Sequence, residues 1–287
     1  MTHQPPSTEH WLPRDHGSIY VRDYAGAGPA FVLMHGFPDN LRIYDYLIPL
    51  LVVRGRHVVA FDFLGFGESD KPAGATYSFG QQLGDLKAVV DALSLEKIIP
   101  VAHDSSGSAA INFAIDYPEH TASLVILNAV FAQAPALKLP ELIELFATPN
   151  LKALTSKLLQ SPDQFGWVVD FQRNRFQASL SDKHKERYNA FLGPVIDRNF
   201  RGGAVTAFAQ MTGHLFEDIT RNSTRIPQME ALDIPVKLIW GENDPYLNVG
   251  VAEDLQSHLR DASLHRIPAG HWVQIDEPEL VASAMLS

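Results

Sequence analysis

Three short stretches of the chain carry side chains able to act together as a nucleophile, a general base and the acid that orients the base. The first is Ala102-His103-Asp104-Ser105-Ser106-Gly107, where a buried apolar run over Lys97–Ala102 stops and a helical pattern, Ser108–Tyr117, takes over. A tight strand-to-helix turn can hold one nucleophilic side chain at its apex in a strained backbone conformation. Small residues are needed two places before the apex and two or three after it, because strand and helix otherwise collide. With Asp104 at the apex those places hold Ala102, Ser106 and Gly107. With Ser105 the first would be His103, and with Ser106 it would be Asp104. The spacing favours Asp104. Ser105 is the alternative nucleophile, and an ordinary helix N-terminus capped by Asp104 or Ser105 would read the same way locally.

The second stretch, Trp240-Gly241-Glu242-Asn243-Asp244-Pro245, follows the strand pattern Val236–Trp240. Asp244 there can orient a histidine and stabilise its charged form, although an Asx turn before proline has the same signature. The third, Ala269-Gly270-His271-Trp272, follows the strand pattern Ser263–Ile267. Each is weak alone; three in this order, each at a strand end, form a set. Asp104 would attack an sp³ carbon and form an ester, and His271, held by Asp244, would draw a proton from the water that hydrolyses it. That chemistry calls for no metal and no organic cofactor. No His-Glu-x-x-His zinc pattern occurs, and no Gly-rich turn opens a helix with a lysine.

Alternating elements must position these stretches. Residues 16–24, Ala30–Met34, His57–Phe63, Lys97–Ala102 and Ser123–Leu127 read as strands, and Asn40–Val53 and Phe79–Leu93 as helices. Short apolar runs alternating with helices predict a mostly parallel sheet with helices on both faces. Phe131 to Pro227 shows helical periodicity and no strand, punctuated by Pro140, Pro149, Pro162 and Pro194; the strand rhythm then resumes. The expectation is an α/β core over 1–130 and 226–287 with a helical cap, 131–225, inserted between two halves of one sheet. Ligand sites in such sheets lie outside the carboxyl ends of the strands.

The 287 residues, 46% hydrophobic and 20% charged, suit a globular chain, and the net charge of −10 gives no reason to expect nucleic acid or an anionic membrane as partner. A small, weakly polar substrate fits better. There is no cysteine, which excludes disulfides and thiolate catalysis. Met1–His10 lacks the apolar core of a signal peptide and no run reaches membrane-spanning length, so a cytoplasmic location is the expectation. The Asn222-Ser223-Thr224 sequon is read as chance.

Over nearly its whole length the chain resembles the α/β-hydrolase superfamily. The stretches that carry the resemblance are His35-Gly36-Phe37-Pro38, Asp62 through Pro72, Val101 through Gly107, Gly241 through Pro245 and Gly270-His271-Trp272. Nucleophile, acid, histidine is also the chain order of that fold. His103-Asp104 resembles its aspartate branch, which contains epoxide hydrolases, haloalkane dehalogenases and haloacetate dehalogenases. The resemblance implies an oxyanion hole from the backbone N–H groups of Phe37 and Ser105, and a cis Phe37-Pro38 bond. Haloalkane dehalogenases place Trp after the nucleophile and haloacetate dehalogenases place Arg there and three residues on; this chain has Ser105 and Ser108. Epoxide hydrolases use two cap tyrosines. The stretch Trp167–Gln172 resembles the first region, with Trp167 in the tyrosine's place, and Met211 and Thr212 stand near the second. The expected pocket residues are therefore Trp167, Tyr188, Met211, His214 and Trp272, with Tyr188 and His214 as substitute donors. Asn128 stands where some members keep the orienting acid and, as an amide, leaves that role to Asp244. An epoxide-hydrolase-like activity is the first expectation, a dehalogenase with the same ester the second, and a serine esterase using Ser105 the third.

Overall fold

A computed structural model of the chain describes residues 4–14 and 16–287. Eight strands form one sheet: β1 Thr8–Arg14, β2 Gly17–Tyr24, β3 Ala27–Met34, β4 Arg56–Phe61, β5 Ile98–Asp104, β6 Leu124–Ala129, β7 Val236–Gly241 and β8 Ala262–Ile267. Their order is β1-β2-β4-β3-β5-β6-β7-β8. β1 and β2 pair antiparallel, as do β2 and β4; every other pairing is parallel. Parallel strands need crossovers, and helices on both faces supply them.

Alternation along each strand divides the core. Val32 and Met34 of β3, with Ala102 of β5, pack on one face, and Phe31, Leu33 and Val101 on the other. Both faces are covered, so these strands read as unbroken apolar runs. β1 was not expected from the sequence. It is a half-solvated edge strand containing Pro13, which an edge tolerates because no ladder N–H is needed there. The first three residues of the Met1–His10 stretch lie outside the described residues. The stretch read as one helix, Asn40–Val53, instead holds a 3₁₀ turn, Leu41–Tyr44, and a short helix, Ile48–Val52.

Between β6 and β7 the described residues form helices and no strand, from Glu141 through Glu230. Two widened π turns, Tyr188–Leu192 and Phe200–Ala204, interrupt this segment. Asn222 of the sequon is fully buried, its amide nitrogen within 3.0 Å of Ser108 Oγ, the Phe131 carbonyl oxygen and Asp218 Oδ2, which leaves no route for a glycan. Among the described residues no helix is long and apolar enough to cross a membrane.

Candidate active site

β5 runs to Asp104, and the helix Gly107–Asp116 starts three residues later. Asp104 takes φ +56°, the left-handed conformation that a side chain rarely adopts, while neither Ser105 nor Ser106 does. The turn is tight enough to restrict its neighbours. A Cβ added at Gly107 would sit 2.5 Å from the Val130 carbonyl oxygen, and one added at Gly36 would sit 2.4 Å from Asp104 Oδ2. The Ser106 hydroxyl is used inside the turn, accepting from the His103 N–H at 2.9 Å.

The carboxylate of Asp104 faces two kinds of partner. Oδ2 accepts from the Phe37 N–H at 3.3 Å, with the Ser105 N–H also favouring the charged form. Oδ1 lies 3.9 Å from His271 Nε2. Burial pushes the carboxyl above the usual carboxylate range, against the pull of His271 and the two N–H groups. The Phe37-Pro38 bond is cis.

His271 Nδ1 meets Asp244 Oδ2 at 2.7 Å. Asp244 is buried, and its four acceptor positions are filled. Oδ2 also accepts from the Asn128 amide at 2.8 Å, and Oδ1 accepts from the N–H groups of Tyr246 and Leu247 at 2.9 and 3.1 Å. Burial alone would lower the imidazole; Asp244, then Asp104 and Asp39, more than reverse this and hold His271 at about 9. The surrounding carboxylates thus favour the protonated form of His271 in the resting site. Asn128 sits at the end of β6 with φ +34°, and its Oδ1 accepts from the Gly241 N–H at 2.8 Å. An amide at this position discloses in the sequence only its missing charge; its contact with Asp244 depends on packing between β6 and β7.

The other two histidines nearby orient loops. His35 Nδ1 donates to the Gly36 carbonyl at 2.6 Å and Nε2 accepts from the Phe63 N–H at 3.1 Å, which makes it neutral; burial holds it at about 4. His103 Nε2 donates to the His271 carbonyl at 3.0 Å. Asp39, a residue the sequence did not single out, accepts from Trp272 Nε1 at 2.8 Å and is pushed up by burial to about 7.

A cavity of about 840 Å³, open mouth included, lies above Asp104. Phe37, Ser105, His271 and Trp272 line it from the sheet side, and the helical segment roofs it. Tyr188 is in its wall; Trp167, Met211 and His214 are not. The helix Pro162–Gln177 turns Val169, Gln172, Arg173 and Phe176 inward, an i, i+3, i+4, i+7 stripe. Trp167 falls on the opposite face, is 68% exposed and stacks on Phe171. Met211 is fully buried in the core beside that wall. His214 is exposed and pairs with Glu217 at 3.1 Å. Gln172, Arg173 and Tyr246 line the cavity without having been expected there.

Residues 29–278 match the family model described as the alpha/beta hydrolase fold. The chain is 27% identical to epoxide hydrolase 1 of Caenorhabditis elegans over 282 residues, which is 91% of this chain but 65% of that protein, just under two thirds of its length. It is 37% identical to a fluoroacetate dehalogenase from a Burkholderia species over 109 residues, 37% of this chain and 36% of that one. Among solved structures, the epoxide hydrolase CorEH superposes with a TM-score of 0.75 at 20% identity, covering 98% of both chains. With the elbow at Asp104, the sheet order and a family match spanning most of its length, the chain belongs to the α/β-hydrolase fold family.

Proposed function

We propose that the protein is an epoxide hydrolase working through an ester on Asp104. The observation that carries this reading is the geometry of one carboxylate. Asp104 alone of the elbow residues has the left-handed backbone, with Oδ2 toward the Phe37 N–H and Oδ1 toward His271. The two oxygens therefore take different roles. Oδ1 attacks an epoxide carbon, the C–O bond breaks, and its electron pair goes to the departing oxygen, which takes a proton from the lid. Oδ2 stays with the Phe37 and Ser105 N–H groups, where charge develops when water attacks the ester carbonyl. Ester formation removes the charge of Asp104, a neighbour that raises His271. The imidazole then loses its proton more readily and can act as the base.

The helical segment, residues 131–225, serves in this reading as the cap that roofs the site. Tyr188 is the proton donor. Its ring lies against Trp272 at 5.6 Å, and the side chain near its hydroxyl is Arg173. Tyr246, the other tyrosine in the wall, donates to Glu141 and accepts from Gln172 at 2.8 Å, so it is committed. The similarity to epoxide hydrolase 1 and to other proteins named epoxide hydrolase supports this reading.

A dehalogenase using the same ester is the second reading, favoured by the similarity to a fluoroacetate dehalogenase. Halide departure asks for N–H donors. The Trp272 indole is committed to Asp39, Trp240 donates to the Leu247 carbonyl at 2.6 Å, and Trp167 faces out. Arg173 is in the wall with Nη1 and Nη2 paired to Asp170 and Asp197, which leaves Nε as its single donor without an acceptor among the described residues. These commitments favour the epoxide.

The test is a panel of epoxides and haloalkanes, scored for diol and for halide, followed by a single turnover in H₂¹⁸O with enzyme in excess. The expected product oxygen comes from the enzyme, so the diol stays unlabelled and the peptide containing Asp104 gains ¹⁸O. Label in the product from the first turnover would mean direct attack by water. An adduct on Ser105 would restore the esterase.

A further inference from the structure

Tyr188 shares its wall of the cavity with a cation. Arg173 reaches it from the helix Pro162–Gln177. Two of its nitrogens are engaged, Nη1 with Asp170 at 3.1 Å and Nη2 with Asp197 at 2.6 Å. The third, Nε, is buried and has no acceptor among the described residues. Guanidinium N–H groups point along fixed directions and do not deprotonate in proteins, so a buried one without an acceptor is costly. The Tyr188 phenol lines the same cavity and lies close enough to the guanidinium to interact with it. Burial raises that phenol, Asp39 and Asp197 add to the rise, and Arg173 opposes it.

We propose that Arg173 is a positioning residue for proton transfer: it holds the Tyr188 hydroxyl in the cavity wall and stabilises the phenolate left when the departing epoxide oxygen takes the proton. This rests on the epoxide reading given above. The two aspartates hold Nη1 and Nη2 and leave Nε without an acceptor of its own among the described residues. The chain thereby meets the proton demand with one tyrosine and one arginine, since the places resembling the two tyrosine regions hold Trp167, which faces out, and Met211, which is buried outside the cavity. The step balances. Asp104 Oδ1 bonds to carbon, the epoxide C–O bond breaks, and the oxygen becomes a hydroxyl with the proton of Tyr188. Water then gives its oxygen to the Asp104 carbonyl and one proton to His271. Its second proton goes to the leaving alcohol oxygen as the ester opens; the proton that His271 carried at rest has already passed through solvent to the Tyr188 phenolate once Asp104 was esterified, so the proton from water restores His271 and all three residues return to their resting states. The sum is epoxide plus water to diol.

The experiment uses the full chain with styrene oxide and the best epoxide of the panel. Rapid quenching and mass spectrometry follow the ester on Asp104 as it forms and decays. Arg173→Met is expected to slow formation by about 10-fold or more, within the range of general acid catalysis, and to leave decay within about two-fold. Arg173→Lys retains the charge and should recover most of the rate, which separates an electrostatic role from a packing one. In a Tyr188→Phe background, Arg173→Met should add less than about two-fold, because the group it serves is gone. Equal slowing in both backgrounds, or equal slowing of decay, overturns the proposal and makes Arg173 a general prop of the lid. Formation at the wild-type rate in Arg173→Met overturns it too, while the ester itself upholds the epoxide reading. No ester from any epoxide in the wild-type chain sinks both.

Discussion

Asp244→Asn replaces one buried oxygen by an amide nitrogen, and the site leaves that nitrogen nowhere to go. Two donors point at Oδ2, His271 Nδ1 and the Asn128 amide, and two backbone N–H groups point at Oδ1. An amide turned toward Oδ1 opposes backbone groups that cannot rotate. Turned toward Oδ2, it opposes Asn128, whose own flip is blocked because its oxygen accepts from the Gly241 N–H. The imidazole then relieves the conflict by moving its proton to Nε2, and in that tautomer it cannot take a proton from water. One unmet buried donor costs about 1–3 kcal/mol in stability. The catalytic loss is larger. Neutralising a triad acid elsewhere lowers turnover by about 10⁴, equivalent to about 5.5 kcal/mol of barrier. The loss should fall on ester decay, which needs the base, more than on ester formation, which needs Asp104. Single-turnover mass spectrometry should show the ester accumulating and persisting, while circular dichroism at assay temperature reports a native fold. Decay within about 10-fold of wild type, far above the expected loss, would refute the reasoning and place the acid elsewhere; Glu242 is exposed, so Asn128's surroundings would be the place to look.

Three further outcomes follow from the same geometry. Ester decay should depend on pH with a defined sign: His271 must be neutral to act, Asp104 and Asp244 hold it at about 9 in the resting site, and the ester removes the first of these charges. Decay is therefore slow at acid pH, rises with pH and reaches its plateau below 9; a pH-jump on preformed ester measures this, and a plateau reached only above 9, or no dependence, contradicts it. Gly36→Ala places a Cβ 2.4 Å from Asp104 Oδ2 and 2.6 Å from its Cβ, so ester formation should collapse with the fold intact; wild-type rates in a folded variant would mean the carboxylate does not use that position. Trp167→Phe should leave both steps within about two-fold, because an exposed side chain changes little; a selective loss of ester formation would mean that the lid rearranges on binding.

The pattern of what the sequence disclosed follows from how far each feature depends on distant packing. The elbow is local: the need for small residues around Asp104 is set by strand meeting helix, so Ala102, Ser106 and Gly107 could be read as a unit. The helix Pro162–Gln177 is different. Its inward stripe, Val169, Gln172, Arg173 and Phe176, is half polar, whereas Trp167 and Phe171 on the outside are aromatic. Hydrophobicity thus points the wrong way, and only the packing of the lid against the core decides which face meets the substrate. The same polarity has a physical consequence. Gln172 is held by Tyr246 and by the Leu142 N–H at 2.9 Å, and Arg173 by two aspartates, so each polar side chain in the wall arrives with most of its bonding already satisfied. Among the described residues Nε of Arg173 and the hydroxyl of Ser105 have no partner of their own, and both residues line one cavity with Asp104, Tyr188 and Lys138. In the epoxide reading, such a largely apolar chamber would bind a small, weakly polar molecule by shape and use its few donors where charge develops on the departing oxygen.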